Sequence, residues 1–411
     1  MPQGLIGLAG LVAIAWAISE GRRDVAWRAV AGGLAVQLAL AALLLKVPAA
    51  KSFFLFLNHL VEALAAATGA GTAFVFGYVG GGPAPFAVAN PANSFVLAFQ
   101  ALPLVLLISA LSALFYHWRI LPLVVTALSR LLERALGLGG AVAMSAAAMP
   151  FLGMIEAPLL IRPYLSKLSR GELFMVMTGG MATIAGTVMV LYATFLAHVI
   201  PDAIGSLVTA ALISIPAAVT VARIVVPDRT RTGAAGLPPT GYAGSMDALV
   251  KGTLDGVQML IAILAMLVVL VALVHLVNAG LALLPDLAGA PATLQRFAGW
   301  AMAPLAWMMG IPAAEIVTAG SLLGVKTVLN ELLAYLALAQ LPEGALSDRS
   351  RLIMTFALCG FANFGSLGIL IAGLSAMAPD RRAEVVSLGF RAMAAGTLAS
   401  CLTGAIVGLL N

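Results

Sequence analysis

Apolar residues run through this chain in blocks of helical length, separated by short polar punctuation. A membrane-spanning helix needs about 20 mostly apolar residues. Gly4–Ile18 is a slightly short first block, and Arg22, Arg23 and Arg28 follow it. No basic head precedes it, as one would in a signal peptide. The reading is a retained helix with its N-terminus outside. Residues 29–45, 95–116, 172–199, 203–226, 256–277, 352–377 and 385–410 supply seven further spans. Residues 51–67 differ. Phe53, Phe54, Leu57, Leu60, Val61 and Leu64 recur at helical spacing against Asn58, His59 and Glu62. That pattern predicts a helix lying in the interface, or an ordinary partly buried one. A Gly/Pro/Asn-rich loop follows over 77–93, and a polar cytoplasmic loop is expected over 227–251.

Two regions break the pattern. In 137–163, two short apolar stretches meet at Pro150, Gly153, Glu156 and Pro158. In 300–338, Pro304, Gly310, Pro312, Gly320 and Gly324 interrupt an apolar run that also carries Glu315, Lys326 and Glu331. Apolar pieces too short to span, divided by helix breakers, predict re-entrant hairpins. Each hairpin precedes a helix with polar and glycine residues at its middle: Gly180-Met-Ala-Thr183-Ile-Ala-Gly186 and Gly360-Phe-Ala-Asn363-Phe-Gly-Ser366. Glycine inside a helix costs about 1 kcal/mol relative to alanine. Close helix packing would justify such glycines. Their recurrence in both halves, each after an acid, points instead to broken helices paired across a repeat, the build of a transporter binding site.

Composition narrows the class. Of 411 residues, 62% are hydrophobic and 9% charged, against about 25% charged in soluble domains. Most of the surface must face hydrocarbon. That excludes a cytosolic enzyme, a nucleic-acid-binding domain and a disulfide scaffold. The net charge of +5 fits basic loops on the cytoplasmic side of a multi-pass protein of the inner (plasma) membrane. Cys359 and Cys401 lie in apolar runs and read as small buried hydrophobes. His59, His117, His198 and His275 share no metal spacing, and no cofactor motif occurs.

A charge in hydrocarbon costs roughly 3 kcal/mol or more, so it must face protein, water or a partner. Glu156, Glu315, Glu331 and Lys326 fall inside the apolar hairpins. Proton relay, substrate ligand and structural ion pair are all open to them. Glu156, between Gly153 and Pro158, is the leading functional acid and Glu331 the second. Lys326 is a charge-pair candidate. Glu315 follows Pro312 and fits a helix cap.

These residues carry a resemblance to the concentrative nucleoside transporters. Phe356-Ala-Leu-Cys-Gly-Phe-Ala-Asn-Phe-Gly-Ser-Leu-Gly-Ile369 is close to that family's FALCGFANFSSIGI signature. Gly324-Val-Lys-Thr-Val-Leu-Asn-Glu-Leu-Leu-Ala-Tyr335 matches its G-x-K-x-x-x-N-E-F-x-A-Y element, except that Leu332 replaces Phe. Glu156-Ala-Pro-Leu159 matches the EAPL ending its first hairpin, and Ala395-Gly-Thr-Leu398 fits its last helix. The resemblance implies an all-α polytopic fold. It has eight spanning helices, two re-entrant hairpins and interfacial helices, with an inverted-repeat transport domain on a scaffold, assembled as a homotrimer. The chain then divides into an N-terminal part (1–136), a first hairpin and repeat (137–226), a loop and interfacial segment (227–255), a scaffold helix (256–284) and a second hairpin and repeat (298–411).

The resemblance also implies a site. Glu156 would serve the nucleobase side with Gly153, Met154, Ile155 and Val188 beside it. Glu331, Asn363 and Ser366 would hydrogen-bond the ribose hydroxyls, and Phe361 would pack on the ligand. Cation-coupling candidates are Glu156, Glu331, Met149, Leu152, Thr183 and Ile184. The first hairpin departs from the family's N-x-x-x-G-Q-T-E-A-P. Met154 and Ile155 replace Gln and Thr, and Met149 replaces the Asn that helps hold sodium. Thioethers are poor ligands for hard cations. The expected coupling ion is therefore H+ rather than Na+, through Glu156 or Glu331, and base recognition should be more apolar. The leading function is a secondary-active nucleoside importer. A carrier of a modified nucleoside or other small polar solute is the alternative within transport. An integral-membrane enzyme using Glu156 and Glu331 lacks a nucleophile or metal set.

Overall fold

A computed structural model describes residues 2–87, 94–233, 241–286 and 291–411. Part of the expected 77–93 loop and part of the 227–251 loop lie outside the described residues. Every regular element among the described residues is a helix. Seven helices there are long and apolar enough to cross a membrane. Two of the eight expected spans are not among them. The first, α1 (Pro2–Ala17), has only 16 residues, and the span over 352–377 is broken in two. An unexpected one takes their place in α3.

After α2 (Trp27–Lys46), α3 runs from Pro48 to Phe76. The sequence pattern stopped the amphipathic helix at residue 67 and placed a loop soon after. In the structure the helix continues, because residues 64–76 contain no proline and carry enough apolar side chains to sustain it. Phe74 and Val75 stand fully outward there. The helix is thus a candidate span rather than a short interfacial segment.

The rest of the chain is built twice. The short turn α4 (Leu97–Gln100) leads into α5 (Leu104–His117), α6 (Ile120–Leu136) and α7 (Gly140–Leu152). Two single turns, α8 (Glu156–Leu159) and α9 (Arg162–Leu165), precede α10 (Arg170–Ala182), α11 (Gly186–Leu196) and α12 (Ala203–Val225). The second pass comprises α13 (Ser245–Leu281), α14 (Leu294–Met308), α15 (Ile316–Val328), α16 (Glu331–Ala339), α17 (Asp348–Ala357), α18 (Phe364–Met377) and α19 (Arg382–Leu410). Equivalent neighbours pack alike: α6 on α7 as α14 on α15, and α10 on α12 as α17 on α19. Across the repeat, α5 packs on α13 and α12 on α19. The repeat therefore reaches further back in each half than the breaks alone indicated.

Local chemistry explains the ends. Ser169 and Ser347 cap α10 and α17 at matching positions; Ser169 forms a reciprocal capping box with Glu172. The sequence reading passed over α6, whose Val125, Ser129, Leu132 and Leu136 are buried at helical spacing while Leu123 and Leu131 face outward. The polar loop and scaffold helix expected as separate pieces over 227–255 and 256–284 merge, since α13 begins at Ser245.

The basic ends of α1, α10 and α19 meet in a charged cluster. Glu20 accepts from Arg170 at 2.7 Å and pairs with Arg391, while Arg170 also reaches Glu384. The hydrogen bond from Arg170 holds the Glu20 carboxyl below its ordinary value of 4.5, outweighing burial, with further help from the charges of Arg170 and Arg391. A depressed carboxyl stabilises the fold above its unfolded pKa, and that contribution is lost as pH falls through the folded value. The thermal midpoint of Glu20→Gln should thus sit below wild type at pH 6 to 7, and the gap should close as pH falls below about 4.5. Exposed pairs contribute no more than about 1 kcal/mol, so the gap should be a few degrees at most and shrink in high salt. A pH-independent gap would contradict this ionic account.

Candidate substrate site

The middles of both repeats are unwound. Between α10 and α11 the chain leaves the helix over 183–185, and between α17 and α18 over 358–363. The two breaks touch: the Phe361 N–H donates to the Thr183 carbonyl at 3.3 Å. Broken ends expose backbone groups that must find partners. Asn363 caps α18, its Oδ1 accepting from the Ser366 N–H at 2.7 Å. Asn330 caps α16 in the same way through the Leu333 N–H. At the C-terminal end of α17, Lys326 Nζ donates to the Ala357 carbonyl at 2.9 Å and Tyr335 OH to that of Thr355 at 2.8 Å. Lys326 thus forms no ion pair among the described residues. Its cation is placed where a half-helix ends and carbonyls concentrate. Glu315 begins α15 without capping it; its carboxylate accepts from the Ser347 N–H and hydroxyl instead.

A cavity of about 260 Å³ opens where these ends converge. Gly153, Met154, Ile155, Glu156 and Val188 line it from the first repeat, and Glu331, Phe361, Asn363 and Ser366 from the second. Residues far apart in the chain are thereby brought to one space. Gly153 turns the tip of the first hairpin with a φ of +105°, a conformation that favours glycine. A Cβ there would lie 3.0 Å from Glu156 Oε2. The Glu156 side chain is exposed to the cavity. Glu331 is enclosed: Oε1 accepts from Tyr192 OH at 2.7 Å and Oε2 from Asn363 Nδ2 at 3.0 Å. Tyr192 is held by Tyr335, with ring centroids 5.1 Å apart. Each Glu331 oxygen keeps acceptor capacity for a further donor.

The coupling candidates sit behind this cavity, apart from Glu156, Glu331 and Leu152, which line it. Met149 is buried, and its thioether packs over Gly179. The Thr183 hydroxyl donates to the Gly179 carbonyl at 2.9 Å, and Ile184 is buried beside it. The carbonyl oxygens of Pro150 and Phe151, at the end of α7, lie 3.3 Å from the Cβ position of Gly186. The end of the first hairpin and the first break therefore adjoin.

Sequence reasoning missed several lining residues. Tyr192 falls four residues after Val188, on the same face of α11, so helical spacing could have found it. Met259, Ile263, Met266 and Leu270 of α13 close the other wall. They form one stripe, but nothing in a long apolar helix marks which stripe faces a ligand.

Comparison with known proteins agrees with this geometry. Residues 206–408 match the family model described as the C-terminus of the Na+ dependent nucleoside transporter, and residues 6–79 match its N-terminus. Residues 98–199 match a nucleoside-recognition gate. The nucleoside permease NupC of Helicobacter pylori is 32% identical over 98% of this chain and 96% of its own. Sodium/nucleoside cotransporter 1 of Rattus norvegicus is 30% identical over all of this chain and 64% of its own. The structure of CNTnw in an inward-facing substrate-bound state superposes with a TM-score of 0.89 at 35% identity, covering 99% of this chain and 97% of that one. With its motifs, its paired broken helices and its relatives in accord, the chain is a multi-pass membrane protein that belongs to the concentrative nucleoside transporter family.

Proposed function

We propose that this protein is a secondary-active symporter that imports nucleosides across the inner membrane, with protons favoured over sodium as the coupling ion. The observation carrying the nucleoside reading is Glu331, clamped by Tyr192 and Asn363 at the wall of the cavity. A carboxylate with spare acceptor capacity suits a pair of sugar hydroxyls, and charge-assisted bonds of this kind are about twice as strong as neutral ones. Phe361 offers a ring, and Glu156 the polar group, for the base. Met154 and Ile155 leave the base side apolar, which favours a carrier of purine or modified nucleosides as the second reading. Assembly into a homotrimer, which the family resemblance implies, is part of the same reading.

The proton preference rests on Met149. Where the family places an Asn oxygen, this chain buries a thioether against Gly179, and hard cations favour oxygen ligands. Labelled uridine, adenosine and inosine should accumulate in proteoliposomes under an inward proton gradient at symmetric sodium. Accumulation driven equally well by a sodium gradient at symmetric pH would refute proton coupling. No uptake of any nucleoside under either gradient would refute the substrate class.

A further inference from the structure

A second cavity, of about 410 Å³, lies away from the substrate site, between the start of α2, the turn joining α6 to α7, and the segment after α12. Four guanidinium groups line it: Arg28, Arg223, Arg229 and Arg231. Arg223 donates to the Gly137 carbonyl at 3.0 Å. The guanidinium groups of Arg28, Arg229 and Arg231 make no hydrogen bond or ion pair among the described residues. Two helix N-termini also open here, those of α2 at Ala26 and α7 at Gly139, and no side chain caps either one. Uncapped N–H groups and the helix dipole attract anions.

Three carboxylates share the cavity, and two are already committed. Glu172 lies beside Gly139, yet its oxygens accept from the Ser169 N–H and from the N–H and hydroxyl of Thr232. Asp228 accepts from the N–H groups of Gly171 and Thr230, occupying the N-terminus of α10. Asp24 leans back over Gly21. None of the three makes an ion pair with the four arginines among the described residues. The cavity thus gathers more cationic donors than acceptors, all at the basic ends of membrane helices.

We propose that this cavity binds a phosphate-bearing anion, held by Arg28, Arg223, Arg229 and Arg231 over the open ends of α2 and α7. Guanidinium groups match phosphate oxygens in pairs, and basic pockets between membrane helices take phospholipid headgroups. A free phosphate offers the same chemistry, so the two sources need separating.

The full chain in detergent is tested by native mass spectrometry with phosphatidylglycerol and phosphatidylcholine, and by thermal shift with inorganic phosphate against chloride at equal ionic strength. The variants are Arg229→Gln with Arg231→Gln together, and Arg28→Gln alone as the milder change should the pair disturb folding. For a headgroup site, wild type retains phosphatidylglycerol over phosphatidylcholine, and the double variant loses that preference by about tenfold or more. For a free-phosphate site, phosphate but not chloride raises the wild-type midpoint, the variants respond less, and the lipid preference is absent. Equal behaviour of wild type and both variants in the lipid and phosphate arms overturns the proposal.

Discussion

Replacing Glu331 with Gln should abolish nucleoside uptake while leaving membrane insertion and the elution profile of the protein intact. The carboxylate is 5% exposed and accepts from two donors on opposite oxygens, Tyr192 OH and Asn363 Nδ2. An amide has one acceptor oxygen and turns the other position into a donor. Either Tyr192 or Asn363 would then face N–H, and a buried donor without a partner costs about 1–3 kcal/mol. The substrate loses as well, because both sugar hydroxyls would meet a neutral group that accepts from only one side. A site built to bind hydroxyls discriminates by about 10⁴-fold or more when that pairing fails. Uptake should therefore fall at least about 100-fold. Tyr192→Phe is the graded companion: it keeps the ring against Tyr335 and removes one donor to the carboxylate. Hydrogen bonds to charged groups contribute about 1.5–3 kcal/mol, so a loss of about tenfold or more is expected. Initial rates of labelled uridine uptake, normalised to inserted protein, check both. Full uptake by Glu331→Gln would remove Glu331 from the substrate site.

Much of this arrangement was legible because it violates local rules. Glycines and polar residues in the middle of apolar spans are anomalies, and both sets, 180–186 and 360–366, prove to contain unwound chain, at 183–185 and 360–363. Glu156 and Glu331 stood out as charges in apolar hairpins, and both line the cavity. What obeyed local rules stayed silent. Tyr192 is an unremarked aromatic in an apolar helix until Glu331 is placed beside it. The α13 wall is a stripe like any other. Lys326 was noticed as a charge, but its partner is a carbonyl 31 residues away whose exposure exists only because α17 stops at Ala357. The length of α3 was misjudged for the opposite reason: polar Asn58, His59 and Glu62 drew attention, while the apolar continuation to Phe76 carried no signal of its own. Sequence thus marks where the chain is strained or charged, and tertiary contact decides what it meets.

The crossing of the two breaks should be the least forgiving point in the fold, and Gly360→Val should expose this. A Cβ on Gly360 would lie 2.8 Å from Ser400 Oγ and 3.0 Å from both the carbonyl carbon and oxygen of Ala182. The hydroxyl can rotate, but Ala182 is backbone at the end of α10 and cannot yield without moving the first break. Overpacking a tight core costs about 1–3 kcal/mol and occasionally more. Here the added atoms also press on the Phe361–Thr183 hydrogen bond that joins the breaks, so the upper end of that range is expected. The displaced segment carries Phe361 and Asn363, and Asn363 holds Glu331. Uptake should therefore collapse even in protein that still folds, together with a lower thermal midpoint. Gly368→Ala is the control. It lies in the same repeat, exposed on α18, with nothing within 4 Å of its Cβ position. Its midpoint should hold or rise slightly, since alanine is the better helix former. If Gly360→Val transported and melted like Gly368→Ala, the breaks would not be in contact as described, and Glu331 would need another explanation for its fixed position.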